Sequence, residues 1–172
     1  GRLSPPTGAE FIDVLMGDKA QHILLASDVG YGFISTIGDL LSKKKAGKTF
    51  LSVPEGANIM RVVRVNDLEK QYVAVATNRG RLLVFLVSEL PILSKGKGNK
   101  LIQIPSKDLK AREEFVVSVC VLLDTQNLKV YAGKRHLTIK FQDLTNYIGS
   151  RARRGNVLPK GYQGVDSIEA VE

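Results

Sequence analysis

The residues with the clearest chemical potential are lysines and arginines gathered in three short segments. These lie at 42–48, 94–100 and 150–156 and are called here the first, second and third basic segments. They hold ten cationic residues and no acidic one, where an even distribution would place about three cations. The ten are Lys43, Lys44, Lys45, Lys48, Lys95, Lys97, Lys100, Arg151, Arg153 and Arg154. Their glycine and serine neighbours allow close backbone approach to an anion, so the segments predict phosphate binding.

The overall composition agrees with an anionic partner. The 172 residues carry a formal net charge of +8, and 44% are hydrophobic, which is typical of a folded protein. Nucleic acid is the first expectation and an anionic membrane surface the second. Cys120, the single cysteine, cannot form an internal disulfide or a cysteine zinc site. No apolar run approaches the ~18 residues of a membrane helix. The chain begins with glycine, so we expect a piece of a longer protein.

The elements that must position these segments repeat three times. An acidic residue followed by leucine recurs at positions 39, 89 and 143, at spacings of 50 and 54 residues. Propeller blades of four strands repeat at a similar period of roughly 40 to 50 residues. We therefore expect one domain over 1–172, with repeats at approximately 9–55, 56–108 and 109–172.

Each repeat begins with two apolar runs around a glycine-containing turn, which predicts a β-hairpin. Runs 50–54 and 101–105 end on proline after a basic segment and predict a third strand. Runs 59–65 and 115–123 predict a fourth strand, and 109–114 predicts at most one helical turn. The fold class is therefore all-β: about three four-stranded blades of a β-propeller or β-pinwheel, within a larger ring or arc.

Basic loops at one blade position would line one rim of such a fold. Phosphate contacts position a duplex without recognising its sequence, and no recognition helix, zinc finger or aromatic stacking surface is evident. A curved positive rim suits bent DNA, and several simultaneous contacts could offset a bending cost of about 1–6 kcal/mol. The alternative is a protein-interaction propeller with no direct DNA contact, whose basic loops only keep it soluble or meet an acidic partner.

Several motifs resemble a known family over essentially the whole chain. They are Ser27-Asp-Val-Gly-Tyr-Gly-Phe33, Lys45-Ala-Gly-Lys48, Leu93-Ser-Lys-Gly-Lys-Gly-Asn-Lys100, Gly133-Lys-Arg135 and Arg153-Arg-Gly155. The chain resembles the C-terminal domain of the A subunit of bacterial topoisomerase IV, a relative of the DNA gyrase A subunit. The resemblance implies a β-pinwheel whose blades exchange strands and whose perimeter binds DNA. It also assigns the ten cations of the basic segments to DNA binding.

The resemblance further implies partners and limits. The parent would be a type II topoisomerase that relaxes supercoils and unlinks daughter chromosomes, and this domain would present the transported DNA segment. Its partners would be duplex DNA, the catalytic core of the same polypeptide, and the ATPase subunit, in the bacterial cytoplasm at the nucleoid, with no membrane. ATP and Mg²⁺ would act through other domains, so this fragment needs no cofactor. The catalytic tyrosine would lie in a separate N-terminal region, so the fragment should not cleave DNA.

One departure from the gyrase subfamily affects the expected binding mode. That subfamily has a Gln-Arg-Arg-Gly-Gly-Lys-Gly box associated with tight wrapping, and 42–48 and 94–100 are only degenerate versions of it. We therefore expect DNA bending rather than strong chiral wrapping.

Other candidate chemistry is set aside. Ala46-Gly-Lys-Thr49 lacks the first glycine of a phosphate-binding P-loop. His22 and His136, the only histidines, have no evident metal or catalytic partners. We expect a buried, inert thiol at Cys120. The recurring acids at 39, 89 and 143 predict turn or strand caps, and no catalytic or metal-binding residue is predicted.

Overall fold

The computed structural model describes residues 18–48, 51–54 and 56–172. Eleven strands in this part form three antiparallel sheets, in the orders β3-β1-β2-β6, β10-β5-β4-β7 and β11-β8-β9. The strands are β1 (His22–Ala26), β2 (Tyr31–Thr36), β3 (Val63–Val65), β4 (Tyr72–Thr77), β5 (Arg81–Leu86), β6 (Asn99–Lys100), β7 (Val116–Leu122), β8 (Asn127–Ala132), β9 (Arg135–Ile139), β10 (Asn156–Val157) and β11 (Ser167–Val171). The predicted fold class is confirmed, with three strands rather than four in the third sheet.

Each sheet contains a β-hairpin, as the glycine turns predict, and in the first two sheets the hairpin forms the middle. β1 pairs with β2, β4 with β5 and β8 with β9. Gly30 and Gly80 close the first two turns with positive φ angles of 88° and 80°, which L-residues with side chains rarely adopt. Their N–H groups donate to the carbonyl oxygens of Ser27 and Thr77, three residues earlier. The first two hairpins therefore have equivalent turns.

In the first two sheets, the outer strand beside the second strand of the hairpin comes from a later part of the chain. β6, at the end of the second basic segment, pairs with Tyr31 and Gly32 in β2. β10, at the end of the third basic segment, pairs with the start of β5 in the same way. The second and third basic segments are consequently held against the preceding sheet. This is the strand exchange expected of a pinwheel.

Glycine makes that exchange possible at two equivalent positions. Gly98 and Gly155 have φ angles of 81° and 76°. A Cβ atom on Gly98 would collide with the backbone of Gly32, and one on Gly155 with the carbonyl of Leu82. The two glycines therefore permit both the backbone conformation and the close approach between strands.

The middle sheet is buried on both faces. Val73 and Val75 of β4 pack towards the first sheet, whereas Ala74 and Ala76 pack towards the third. This alternation follows from the two-residue period of a strand. The outer face of the first sheet, including Phe33, is covered by a separate apolar cluster. Three stacked sheets therefore share two cores, and their edges and hairpin tips carry the polar residues.

The first basic segment is not the loop that the sequence predicts. Helix α1 (Ile37–Lys45) includes its first three lysines. Thr36 caps the helix, because its Oγ1 accepts a hydrogen bond from Asp39 N at 3.2 Å. Asp39 in the first turn and the lysines in the last turn also suit the helix dipole. Leu40 attaches α1 to the apolar cluster over the first sheet.

Several strand boundaries differ from the prediction. Of the run 50–54, Phe50 lies outside the described residues and 51–54 is not a regular strand. The run 101–105 is also irregular, because the exchanged strand β6 ends at Lys100. The run 59–65 narrows to Val63–Val65, while β7 matches the run 115–123 closely. The helical turn lies earlier than predicted, as helix α2 (Ser106–Lys110).

Candidate nucleic-acid interface

Backbone hydrogen bonds join the stretch that follows each of the first two basic segments to the next segment. After the first segment, Ser52 N donates to the carbonyl of Gly96 in the second, at 2.8 Å. After the second segment, Gln103 N donates to the carbonyl of Arg153 in the third, also at 2.8 Å. The two contacts are equivalent, so the stretch that follows each of the first two segments is fixed to the next segment in the same way.

The first basic segment presents its cations at the carboxyl end of α1. Lys44, Lys45 and Lys48 are exposed, and Lys43 is half-buried. Lys48 N donates to the carbonyl of Lys43 at 2.8 Å and thereby closes the end of the helix. Four lysines in six residues concentrate positive charge there, although the negative end of the helix dipole partly offsets it.

The second basic segment combines exposed side chains with a shaped backbone. Lys95 and Lys97 are exposed, and the Lys97 ammonium lies 4.5 Å from the centre of the Tyr31 ring. This cation–π contact orients Lys97 without neutralising it. Lys100 is half-buried, and its Nζ donates to Gln103 Oε1 at 2.7 Å. Two of the three lysines therefore remain available to a ligand.

The third basic segment uses one half-buried arginine to neutralise a buried carboxylate. Arg154 binds the fully buried carboxylate of Glu114 through two hydrogen bonds, at 2.6 and 3.0 Å. Thr77 Oγ1 donates to the same carboxylate at 2.8 Å. Arg154 Nη1 also contacts the carbonyl of Gln103 at 3.3 Å. The guanidinium thus compensates a buried charge and fastens the segment to the second sheet.

Arg151 and Arg153 have different surroundings. The Arg151 backbone N–H donates to Glu89 Oε1 at 2.7 Å, and its guanidinium donates to the carbonyl of Lys100 at 2.7 Å. Arg153 is exposed and projects from the segment. Ala152 between them has a φ of 71°, a left-handed conformation unusual for a residue with a side chain. The recurring acid Glu89 therefore fixes the next basic segment rather than capping a turn of its own.

The structure divides the ten predicted cations into two groups by exposure and contacts. The exposed group consists of Lys44, Lys45, Lys48, Lys95, Lys97 and Arg153. The half-buried group consists of Lys43, Lys100, Arg151 and Arg154. Exposed cations can meet phosphates at varied positions, which suits binding that does not depend on sequence. Arg154 is the member least suited to this, because Glu114 already neutralises it.

Sequence reasoning missed the residues that hold the segments. Glu114, Gln103 and Tyr31 each contact a basic segment from 3 to 66 positions away in the chain, and Thr77 supports Glu114. No local motif marks them. One signal is present in the sequence: Tyr31 and Arg81 each directly follow a turn glycine. Both contact a basic segment, because Tyr31 lies under Lys97 and Arg81 Nη1 donates to the carbonyl of Gly155 at 3.2 Å.

No second chemical centre emerges elsewhere in the described residues. They contain no group of three or more histidine, cysteine or acidic side chains that could hold a metal ion. Burial, with a smaller contribution from Glu169, raises the pKa of the Cys120 thiol to about 12, so the thiol is protonated at neutral pH. His136 is exposed on β9, and His22 opens β1. Thr49 of the P-loop-like motif lies outside the described residues.

Among the described residues, no helix has both the length and the apolar character needed to cross a membrane.

Two curated relatives align with nearly the whole chain. The A subunit of DNA topoisomerase 4 from Pseudomonas aeruginosa is 48% identical over 98% of this chain and 22% of its own length. The Haemophilus influenzae protein of the same name is 41% identical over 100% of this chain and 23% of its own length. The chain thus spans less than a quarter of the relatives it matches.

The fold has a close counterpart among solved structures. The E. coli ParC C-terminal domain superposes with a TM-score of 0.77 at 36% sequence identity, covering 91% of this chain and 62% of that one. The resemblance to the C-terminal domain of the topoisomerase IV A subunit is therefore confirmed. The family model described as the DNA gyrase C-terminal domain, beta-propeller, matches residues 21–66 and 71–119, more than half of the chain. The chain belongs to the DNA gyrase C-terminal domain family.

Proposed function

We propose that this chain binds duplex DNA without sequence preference, through phosphate contacts made by the exposed cations of the three basic segments. One observation carries the proposal: equivalent backbone hydrogen bonds fix the stretch after each of the first two segments to the next segment, so their charges form a succession rather than separate patches. Six exposed cations belong to this succession. Arg154, Arg151 and Lys100 contribute by holding the segments in place.

In the parent protein, we infer that the domain presents the DNA segment to be transported by a type II topoisomerase. The support is the similarity to the A subunit of DNA topoisomerase 4. In this proposal DNA cleavage, ATP and Mg²⁺ belong to other regions or subunits of the enzyme. Its protein partners are the catalytic core and the ATPase subunit, while the compartment is the bacterial cytoplasm at the nucleoid. Bending of the bound duplex follows from the succession of segments on adjacent sheets.

Electrostatic binding has a measurable salt dependence. Each neutralised phosphate contributes about −0.9 to the slope of log affinity against log salt, so six contacts predict a slope of roughly −5. The first experiment titrates the protein into a fluorescent duplex of about 40 base pairs at several salt concentrations between about 50 and 200 mM. An affinity that hardly changes across this range would refute the proposal.

A matched pair of variants assigns the contacts. K95A/K97A/R153A removes three exposed cations of the second and third segments. K19A/K70A/K140A removes three exposed cations near the strand ends opposite the hairpin turns. We expect the first variant to lose about 2.7 units of slope and the control to retain the wild-type slope. Equal behaviour of the two variants would remove the segments from the DNA site and favour the protein-interaction alternative.

A further inference from the structure

A cleft of about 700 Å³ lies beside the second basic segment. Its walls come from the turn of the first hairpin, the connection between the first basic segment and β3, helix α2 and Lys97. The half-buried, largely apolar side chains that line it are those of Val29, Tyr31, Val53, Ala57 and Leu109. Lys97 and Lys110, both exposed, also line it, and among the described residues no acidic side chain does. An apolar cavity of this size with a few charged groups is typical of a small-molecule site.

Two hydrogen bonds relate this cleft to the corresponding place in the second sheet. Asp28 Oδ1 accepts a hydrogen bond from Asn58 N at 3.0 Å, and Asn78 Oδ1 accepts one from Phe115 N at 2.9 Å. Asp28 and Asn78 both stand two residues before a turn glycine. Asn58 therefore corresponds to Phe115, and the residues immediately before these two correspond as well.

In the second sheet, that preceding position holds a carboxylate with a cation bound to it. Glu114 is fully buried, and Arg154 binds it at 2.6 Å. The equivalent residues of the first sheet are Ala57 and Lys97, since Lys97, like Arg154, directly precedes the glycine of a strand exchange. The cation is therefore retained beside the cleft, whereas the residue opposite it carries only a methyl group.

Two further differences change the lining from polar to apolar. Val29 and Arg79 are equivalent, because each directly precedes a turn glycine, and Arg79 forms an ion pair with Asp108 at 3.6 Å. Tyr31 and Arg81 are equivalent, because each directly follows that glycine. Replacements at three equivalent positions thus convert a filled, ion-paired place into an apolar cleft with cations at its border.

Arg112 forms a fixed wall on one side of the cleft. Its guanidinium binds the Asp28 carboxylate through two hydrogen bonds, at 2.7 and 3.3 Å, and lies 4.6 Å from the centre of the Phe115 ring. The same carboxylate accepts hydrogen bonds from Asn58 N and Nδ2. Asp28 therefore neutralises Arg112, and the charge that remains for a ligand is that of Lys97 and Lys110.

We propose that this cleft binds a small organic carboxylate with an apolar or aromatic body. The carboxylate takes the role beside Lys97 that the Glu114 carboxylate has beside Arg154. The body covers the half-buried side chains of Val29, Val53 and Leu109, which is favourable in proportion to the apolar area removed from water. Occupancy neutralises Lys97, so the bound molecule weakens the DNA contact of the second basic segment; this consequence rests on the proposed function.

Binding of naphthoate, used as a probe, tests the site without DNA. In two-dimensional NMR spectra we expect saturable shifts of the amide signals of Val29, Tyr31, Ala57 and Leu109. Acetate, which lacks the apolar body, should cause none. Shifts confined to other surfaces, or no shifts at millimolar naphthoate, would overturn the proposal. If a short glutamate-containing peptide shifts these signals and naphthoate does not, the cleft is a protein contact and the proposal fails.

Lysine variants separate charge from shape. K97M/K110M should weaken naphthoate binding by about three- to tenfold, as expected for the loss of two exposed ion pairs, and should leave binding of the neutral analogue naphthamide unchanged. Lys107→Met is the control, because Lys107 is an exposed lysine of α2 that does not line the cleft. It should change neither ligand. Equal weakening of naphthoate and naphthamide in K97M/K110M would contradict the carboxylate assignment.

DNA binding supplies a second readout. Saturating naphthoate should lower the salt slope of the unaltered chain by about 0.9, the contribution of one phosphate contact, and leave that of Lys97→Met unchanged. Acetate at the same concentration keeps the ionic strength equal in the reference titration. An unchanged slope at saturation would refute the link between the cleft and DNA. If the unaltered chain binds no DNA, the proposed function fails, while the NMR shifts measured without DNA still decide whether the cleft binds a carboxylate.

Discussion

Lys97 and Arg154 occupy equivalent positions in two consecutive basic segments, yet they face opposite surroundings. Each precedes a glycine that passes close to the preceding sheet, Gly98 or Gly155. Arg154 binds the buried carboxylate of Glu114, whereas Lys97 lies over Tyr31 and is exposed. The same backbone geometry therefore supports one ion-paired cation and one exposed cation with no acidic partner among the described residues, and the residue opposite each decides between the two uses.

The residue opposite Lys97 can be identified from strand pairing. Asp28 N donates to the carbonyl of Asn58, and Asn78 N donates to that of Phe115, so Asn58 corresponds to Phe115. One residue earlier, Ala57 corresponds to Glu114. Ala57 and Lys97 both line a cleft of about 700 Å³ that also borders helix α2. Glu114 thus holds a carboxylate beside the third basic segment, whereas the corresponding Ala57, beside the second, carries only a methyl group.

The largest expected effect is on stability when the cation paired with Glu114 is removed. Arg154→Ala leaves the Glu114 carboxylate buried without its cation, which should destabilise the fold by about 3–5 kcal/mol. Arg153→Ala, at the exposed neighbour, should change stability by no more than about 0.5 kcal/mol. Urea unfolding followed by circular dichroism measures both. Equal unfolding midpoints would show that Arg154 is no more structural than Arg153.

That result also determines how DNA contacts should be mapped. A variant that includes Arg154→Ala would lose DNA binding through unfolding, even if Arg154 never touches DNA. The variants proposed above therefore leave Arg154 unchanged.

A smaller effect is expected from the hydroxyl that supports the same carboxylate. Thr77 is fully buried, and its Oγ1 donates to Glu114 and accepts from the N–H groups of Arg79 and Arg81 at 3.3 Å. Thr77→Val preserves the side-chain shape and removes all three hydrogen bonds, of which the one to the charged carboxylate alone should cost about 1.5–3 kcal/mol. Ser27 is the equivalent buried residue in the first sheet. Ser27→Ala is the matched control, because Ser27 supports no carboxylate. It should unfold at a higher urea concentration than Thr77→Val.

Much of the architecture is predictable because it depends on local chemistry that repeats. Glycine turns between apolar runs specify the hairpins, and their recurrence specifies three sheets. Helix α1 escapes prediction although Thr36 and Asp39 have the spacing of a capping pair, because the lysines after them resemble a solvated loop. The sequence prediction assigns Arg154 to DNA binding. Its actual partner, Glu114, lies 40 residues away, and no motif near either residue indicates their contact. The repeat boundaries at 9–55, 56–108 and 109–172 stay a prediction.

The smallest expected effect comes from giving Lys97 a carboxylate neighbour like the one that Arg154 has. Ala57→Glu would place a carboxylate beside Lys97 in the cleft they share. Because the pair is exposed, its effect on stability should be within about 1 kcal/mol. Neutralising Lys97 should lower the DNA salt slope by about 0.9 units. Ala57→Gln, which adds similar bulk without charge, should retain the slope; an equal loss in both variants would indicate a steric effect.

Strand exchange also sets the order in which a nascent chain can complete its sheets. The hairpin of β1 and β2 is available once residue 36 has been made, but its outer strand arrives only with Lys100. The second sheet likewise waits for Val157. Since distant pairings pay a loop-closure cost before they form, each edge stays open while the ribosome adds more than fifty residues. During synthesis, therefore, the open edges of β2 and β5 are completed only when the second and third basic segments arrive.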